Sequence, residues 1–522
     1  MRLQSYICGR WTDGNGAGRP LRNPVTGEVV AEADASGIDP DAALGFARNE
    51  GGAALNALTF AERGAVLKAI ADVLAANRDK YGEIARINSG NTAVDAAIDI
   101  DGGIGTLRYY ARLGRGLGEA RTIVEEGRDQ LAREPVFFAG HVWTTRPGVA
   151  VQVNAFNFPS WGLWEKVATA LLAGAPSVAK PATATAWLSH EMVRDVVASG
   201  VAPEGALNLV CGGGEGLVGA LRPMDSLAFT GSAETARALR ADANILARAP
   251  RLTVEADSVN ATIIGPDAGP GSALFDLAVR EIVKALSVKA GQLCTNIRRI
   301  LVAREHRDAL EEAVAARLAG LTVGDPQDET VRVGPLVDKA QQAQALAGIA
   351  RLGAEARIVA GGGVPETLAG ADREAGAFVA PTLLSCADPA DGKAVHETEV
   401  FGPCATVMPY GTLDEATALA ARAGGSLAVS LFSNDPDVLA ETALRLAPWH
   451  GRVMTVDEEV GRNHTGHPIV MPQCVHSGPG RAGGGEELGG LRGLRFHMHR
   501  SAIQGSGTML DRLEGLCARA AL

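Results

Sequence analysis

The chain has 522 residues, 46% hydrophobic and 21% charged, which exceeds what one hydrophobic core supports and is too apolar for a disordered protein. Its 49 Lys and Arg against 60 Asp and Glu leave a net charge of −11, and with no basic run this excludes an extended nucleic-acid surface. Seven scattered cysteines without a C-x-x-C pair exclude a disulfide framework, and the longest apolar run, about residues 167–179, is too short for a bilayer.

Thr59-Phe-Ala-Glu62 is a capping-box pattern and predicts a helix with apolar residues at Val66, Leu67, Ile70, Val73 and Leu74. Residues 124–147 interrupt the helical region and read as an inserted hairpin. A strand–helix alternation then begins: strand 149–153, helix 161–172, strand 177–180, helix 185–199, and strands 207–210, 226–230 and 251–255. A second series follows, with strand 261–265, helix 274–290, strand 299–302 and helix 304–319. Later come strand 427–432, a helix from about Pro436 and strand 452–456. Alternation at this spacing is the mark of parallel βαβ units, which bind ligands at the C-terminal ends of their strands.

The expected fold is therefore α/β, with two Rossmann-type lobes facing a cleft. Residues 1–123 with 148–257 form the nucleotide-binding lobe and 258–476 the catalytic lobe. The hairpin at 124–147 and the glycine-rich tail, 477–522, are expected to leave their lobes and to pair two copies of the chain. The N-terminus lacks an apolar core followed by a small-residue cleavage site, so a soluble cytoplasmic protein is expected.

The chemistry centres on residues 287–296, Ser-Val-Lys-Ala-Gly-Gln-Leu-Cys-Thr-Asn, where Cys294 follows a Gly-Gln pair behind a predicted helix. A cysteine taken at random is more often a buried structural thiol. Two upstream residues change that reading: Glu255 at the end of a predicted strand, and Asn157 in Asn-Ala-Phe-Asn-Phe-Pro. A thiol, a base and an amide donor suit attack on an aldehyde carbonyl followed by oxidation. A free thiol titrates near 8.5, and a helix terminus or a positive nicotinamide ring beside Cys294 would lower that value. The Asn157 amide and the Cys294 backbone N–H would hold the oxyanion, and Glu255 would activate water to release the acid. Asp257, two residues on, is a weaker competitor for the base, and Asn157 could also cap the helix that starts near Pro159.

Lys180-Pro-Ala-Thr, with Ala182 and Thr183, and Phe229-Thr-Gly-Ser, with Thr230, Gly231 and Ser232, are the cofactor signals. A lysine at a strand end bonds a ribose hydroxyl or a phosphate, and Gly231-Ser232 sits at a strand-to-helix turn that favours phosphate. Gly214 to Gly219 matches G-x-G-x-x-G by letter, but no acidic residue follows on a next strand, so Gly214 marks a glycine-rich loop beside the cofactor. His464 with His467, and His497 with His499, lack further ligands at sensible spacing, so no metal is expected.

These segments together resemble the aldehyde dehydrogenase superfamily over nearly the whole chain. The landmarks are Asn-Pro-x-Thr-Gly-Glu at 23–28, Asn157-Phe-Pro159, Lys180-Pro-Ala, Phe-Thr-Gly-Ser at 229–232, Gly-Gln-x-Cys at 291–294 and Glu399-Val-Phe-Gly-Pro403. The resemblance implies Cys294 as nucleophile, Glu255 as general base, Asn157 as oxyanion donor and Lys166 in a proton relay behind the base. Glu399 and Phe401 would hold the nicotinamide riboside.

Three departures stand out: Ala-Asp-Ser-Val-Asn after Glu255, Ala236 where glycine is usual, and Thr183 where members preferring NAD often carry Glu. Without that carboxylate the expected cofactor is NADP, with NAD less favoured. Segments 154–166, 180–188 and 255–258, with the glycine-rich tail, resemble members that oxidise CoA-linked semialdehydes in aromatic degradation, by the benzoyl-CoA or the phenylacetate route. The expected partner is thus a small, CoA-linked aldehyde, with no nucleic acid or membrane and with a homodimer as the assembly. A broad-specificity enzyme, a CoA-acylating relative, and a non-catalytic NADP-binding protein are the other readings. Glu255 argues against the acylating branch, which usually lacks this base.

Overall fold

In a computed structural model that describes residues 1–520, the first strand–helix series forms a seven-stranded sheet. Its order is Arg251–Glu255, Ser226–Thr230, Ala150–Val153, Ser177–Lys180, Leu207–Leu209, Ser5–Ile7 and Arg10–Thr12. The first five run parallel, and the N-terminal pair adds antiparallel at one edge. Ala150–Val153 starts the series yet lies inside the sheet. The chain winds outward through Ser177–Lys180 and then returns to the other side at Ser226–Thr230. Such a reversal opens a crevice beyond the C-terminal ends of the strands.

Helices of the N-terminal region cover this sheet. Phe60–Ala76 begins with the predicted capping box, since Thr59 accepts from the Glu62 N–H while Glu62 accepts from the Thr59 N–H. Its Leu67, Ile70 and Leu74 are fully buried in one core with Leu107 and Tyr110 of helix Ala93–Leu117, and with Leu171 and Leu172 of helix Trp161–Ala173. Val66 and Val73 lie at the margin of that core.

The second series forms another seven-stranded sheet, ordered Arg357–Ala360, Thr382–Ser385, Cys404–Tyr410, Arg299–Ala303, Ala261–Ile264, Ser426–Phe432 and His450–Val456. All neighbours pair parallel except the Arg357–Ala360 edge. The preceding helix, Ala273–Ser287, ends three residues before the expected boundary at Ala290. Lys289, Ala290 and Gly291 all adopt positive φ, so the helix cannot continue through them.

The excursion and the end of the tail meet in a separate sheet. Met498–Gly505 pairs antiparallel with Phe138–Thr145, which pairs in turn with Ile123–Glu125 and Asp129–Gln130. The glycine-rich start of the tail crosses from the second sheet to the first. Ala256 N–H donates to the Ala482 carbonyl at 3.0 Å and Gly485 N–H to the Val254 carbonyl at 3.2 Å, so this backbone lies on the edge strand Arg251–Glu255. A Cβ at Gly483 would stand 2.1 Å from the Val254 oxygen, which explains why glycine is needed there. No helix among the described residues is long and apolar enough to cross a membrane.

Candidate active site

The loop bearing Cys294 is irregular and heavily tied. Gly291 has φ +69, and a Cβ there would lie 2.3 Å from the Gly402 oxygen, so only glycine fits. Gln292 holds both flanks: its Nε2 donates to the Lys289 carbonyl and its Oε1 accepts from the Val337 N–H, each at 3.0 Å. Buried Arg298 donates to the carbonyls of Gly291, Leu293 and Gly402, and Asn260 donates to the carbonyls of Cys294 and Asn296. A backbone in unfavourable dihedrals persists only when its surroundings over-determine it, and these bonds do so.

Two clefts meet at this loop. One, of about 510 Å³ including its opening, is lined by Phe158, Trp161, Thr295, Pro468 and Val470. The other, of about 1300 Å³, runs along the strand ends past Lys180, Gly231 and Glu399. Cys294, Glu255, Asn157, Thr230 and Ala155 line both. Asn157 Nδ2 donates to the Gln292 carbonyl at 3.0 Å, which leaves its second N–H for another acceptor. It does not cap the following helix. Asp99, from helix Ala93–Leu117, accepts from the Trp161 N–H at 2.7 Å and does that instead.

The surroundings of Glu255 set the charge pattern. Glu255 Oε2 lies 3.3 Å from His476 Nε2, while Oε1 is buried without a partner. Burial alone would raise this carboxyl, but His476 and then Lys166 hold it below the ordinary carboxylate range. His476 is in turn raised by Glu255 against the effect of its own burial. Burial, and after it the Glu255, Glu165 and Glu399 carboxylates, push the Cys294 thiol well above its usual value. The Cys294 sulfur lies within 4.8 Å of a Glu255 carboxylate oxygen.

Lys166 faces Glu487 at 3.1 Å and Glu165 at 3.3 Å, all three nearly enclosed. Asp257 does not compete as base, because it accepts from the Ala233 N–H at 2.9 Å, at the start of helix Ala233–Arg240, and lies 3.6 Å from Arg481. His476, Glu487, Glu165 and Arg298 had not been singled out. For His476 and Glu487 the glycine-rich run at 478–485 was the one sequence signal, since it marks a backbone that must approach another closely.

The long cleft gathers Lys180, Ala182, Thr183, Phe229, Thr230, Gly231, Ser232, Glu399 and Phe401. Gly214 is the exception. It lies beside the Lys180 stem and is not part of the cleft lining. Ser232 caps helix Ala233–Arg240 by accepting from the Thr235 N–H. A Cβ on Gly231 would collide with the Phe229 ring at 2.6 Å, which keeps the turn open. Thr183 donates to the Gly212 carbonyl at 3.2 Å and brings no negative charge. Glu399 is raised to about 8 by burial, with Arg298 opposing and Asp257 adding to the rise. Phe401 stacks edge-on against Phe156 at 5.5 Å.

The model of the aldehyde dehydrogenase family matches residues 11–486. A 3,4-dehydroadipyl-CoA semialdehyde dehydrogenase of Aromatoleum evansii is 51% identical over 479 residues, covering 92% of this chain and 93% of that protein. Among solved structures, apo betaine aldehyde dehydrogenase of Staphylococcus aureus has a TM-score of 0.84 at 26% identity, over 96% of this chain and 95% of that one. The same enzyme in complex with NAD+ gives 0.83 at 26% identity, over 96% and 95%.

Proposed function

This chain belongs to the aldehyde dehydrogenase family, and from that premise we propose that it oxidises a CoA-linked semialdehyde to the acid through a thioester on Cys294, with NADP as oxidant. The observation that carries this reading is the position of Cys294, where the aromatic-lined cleft and the long cleft meet, with Glu255 and Asn157 beside it.

Glu255, kept ionised by His476 and Lys166, takes the thiol proton as sulfur bonds to the aldehyde carbon. The free Asn157 N–H and the Cys294 N–H hold the oxygen of the resulting thiohemiacetal. The chemistry supplied by a bound nicotinamide is acceptance of the hydride whose loss turns that adduct into a thioester. Glu255 passes its proton toward the Glu487 carboxylate, with the Lys166 ammonium as the neighbouring positive charge, and is then free to deprotonate water. The hydroxide attacks the thioester carbon, the C–S bond breaks, and acid leaves with the thiol restored.

The long cleft fits the dinucleotide. Lys180 would bond a ribose hydroxyl or phosphate, the Gly231 turn would admit the pyrophosphate, and Glu399 with Phe401 would hold the nicotinamide riboside. Thr183 offers no charge to repel a 2′-phosphate, which supports NADP over NAD. The name of the Aromatoleum evansii relative, together with the 51% identity, supports the CoA-linked substrate. The two seven-stranded sheets support a division into lobes at 1–123 with 148–257 and at 258–476. Strand Met498–Gly505 is an edge of the separate sheet, and we assign that edge to pairing with a second copy in a homodimer.

The test compares kcat/KM for a CoA-ester semialdehyde with that for a free aldehyde of matching chain length. A clear advantage for the CoA ester is expected, and equal efficiency would contradict the substrate assignment.

A further inference from the structure

Glu255, Cys294 and His476 bring a carboxylate oxygen, a thiol sulfur and an imidazole nitrogen within 4.8 Å of one another. The Glu255–His476 contact of 3.3 Å equals the edge of a tetrahedron whose centre lies about 2.0–2.1 Å from each atom, the usual Zn–N and Zn–O distance. Glu255 Oε1 is buried and without a partner, so the carboxylate retains unused acceptor capacity inside the site. Glu165 adds negative potential at the sulfur. A bound dication would reverse that effect and favour the thiolate. Lys166 is the opposing charge, and it is engaged by Glu487 and Glu165. The three ligands also line the aromatic cleft, which leaves a fourth position open to a small molecule.

The other histidines contrast with this set. His467 Nδ1 is bonded to Ser430 Oγ at 2.8 Å, and His464 accepts from the Gly466 N–H at 3.1 Å with its Nε2 4.0 Å from Glu281.

We propose that Glu255, Cys294 and His476 form a three-ligand site for a borderline-soft divalent cation of the Zn2+ class, whose binding switches the enzyme off. On binding, the S–H bond of Cys294 breaks, a sulfur–metal bond forms, and the thiol proton and any imidazolium proton pass to solvent with no change of oxidation state. The inhibition rests on the proposed roles of Cys294 and Glu255, because the cation withdraws both nucleophile and base. The binding itself does not depend on those roles.

The test uses the full chain without nucleotide and Co2+ as probe. A C474S background is used because Cys474 is exposed and lies two residues before His476. A thiolate-to-Co2+ charge-transfer band should saturate at one equivalent and should protect Cys294 from alkylation. C294A should lose the band, and H476A should bind about tenfold or more weakly, with H476Q as a second variant should H476A not fold. Zn2+ should displace Co2+ and stop turnover, and a chelator should restore it. No band in the parent, a band that survives in C294A, or undiminished affinity in both histidine variants would overturn the site. A thioester on Cys294 without any Co2+ band would remove the metal site and leave the proposed oxidation standing. The band without a thioester would do the reverse.

Discussion

Two carboxylates face the long cleft, Glu255 buried and Glu399 half-buried, and the regions around them treat them in opposite ways. Behind Glu255, His476 stands in direct contact and Lys166 adds its charge, so the group stays ionised despite its burial. Around Glu399 the main opposing cation is Arg298, which already donates to three backbone carbonyls and faces the Phe401 ring at 5.7 Å. There burial prevails and the carboxyl rises to about 8. A cation in direct contact preserves a base, whereas one committed elsewhere does not. The first region can therefore move protons, and the second can donate a hydrogen bond near neutral pH.

The largest expected effect breaks this contrast at its ionised end. Glu255→Gln should lower steady turnover by about 10²–10⁴-fold and slow the NADPH burst, while leaving its amplitude near one equivalent because hydrolysis of the thioester has lost its base. Turnover close to the parent's would remove Glu255 as base. Next, Asn157→Ala should reduce kcat by about 10²–10³-fold with a smaller effect on KM, because the oxyanion forms only during reaction. A change confined to KM would contradict that role. Thr183→Glu places a new carboxylate in the same cleft and should lower kcat/KM for NADP about tenfold or more, from a Coulomb cost of roughly 1–4 kcal/mol. An unchanged ratio of NADP to NAD efficiency would place the 2′-phosphate elsewhere.

The pH dependence of stability sharpens the comparison. His476 has a folded pKa raised to about 9, so its ion pair with Glu255 stabilises fully below its ordinary value near 6.5 and is lost as pH rises through 9. Glu255, shifted downward, loses its share only as pH falls through its depressed folded value. His476→Phe should therefore flatten the decline in Tm between pH 6.5 and 9, and parallel Tm curves would contradict the pairing. The smallest effect belongs to Glu399→Gln. Near pH 7 the parent carboxyl already carries its proton, so turnover should change by less than about tenfold, and any parental loss of activity near pH 8 should disappear. A collapse of activity at pH 7 would show that Glu399 acts as a carboxylate.

The regular parts of the site were legible in the sequence. Strand ends at Lys180, Thr230 and Glu255 follow from βα alternation, and the elements containing them form as expected. The loop at Lys289–Gly291 was not, since helical periodicity continues through residues whose conformation is imposed by contacts with Asp95 and Gly402. His476 and Glu487 escaped for another reason. They reach the site only because the glycine-rich tail lies against Val254, a long-range contact that no local pattern encodes.

The most direct measurement is the intact mass of Glu255→Gln protein mixed with NADP and the semialdehyde substrate. One acyl group on Cys294 should accumulate alongside one equivalent of NADPH. NADPH formed with no mass gain at Cys294, or formed equally well by a Cys294→Ser protein, would contradict covalent catalysis at that sulfur.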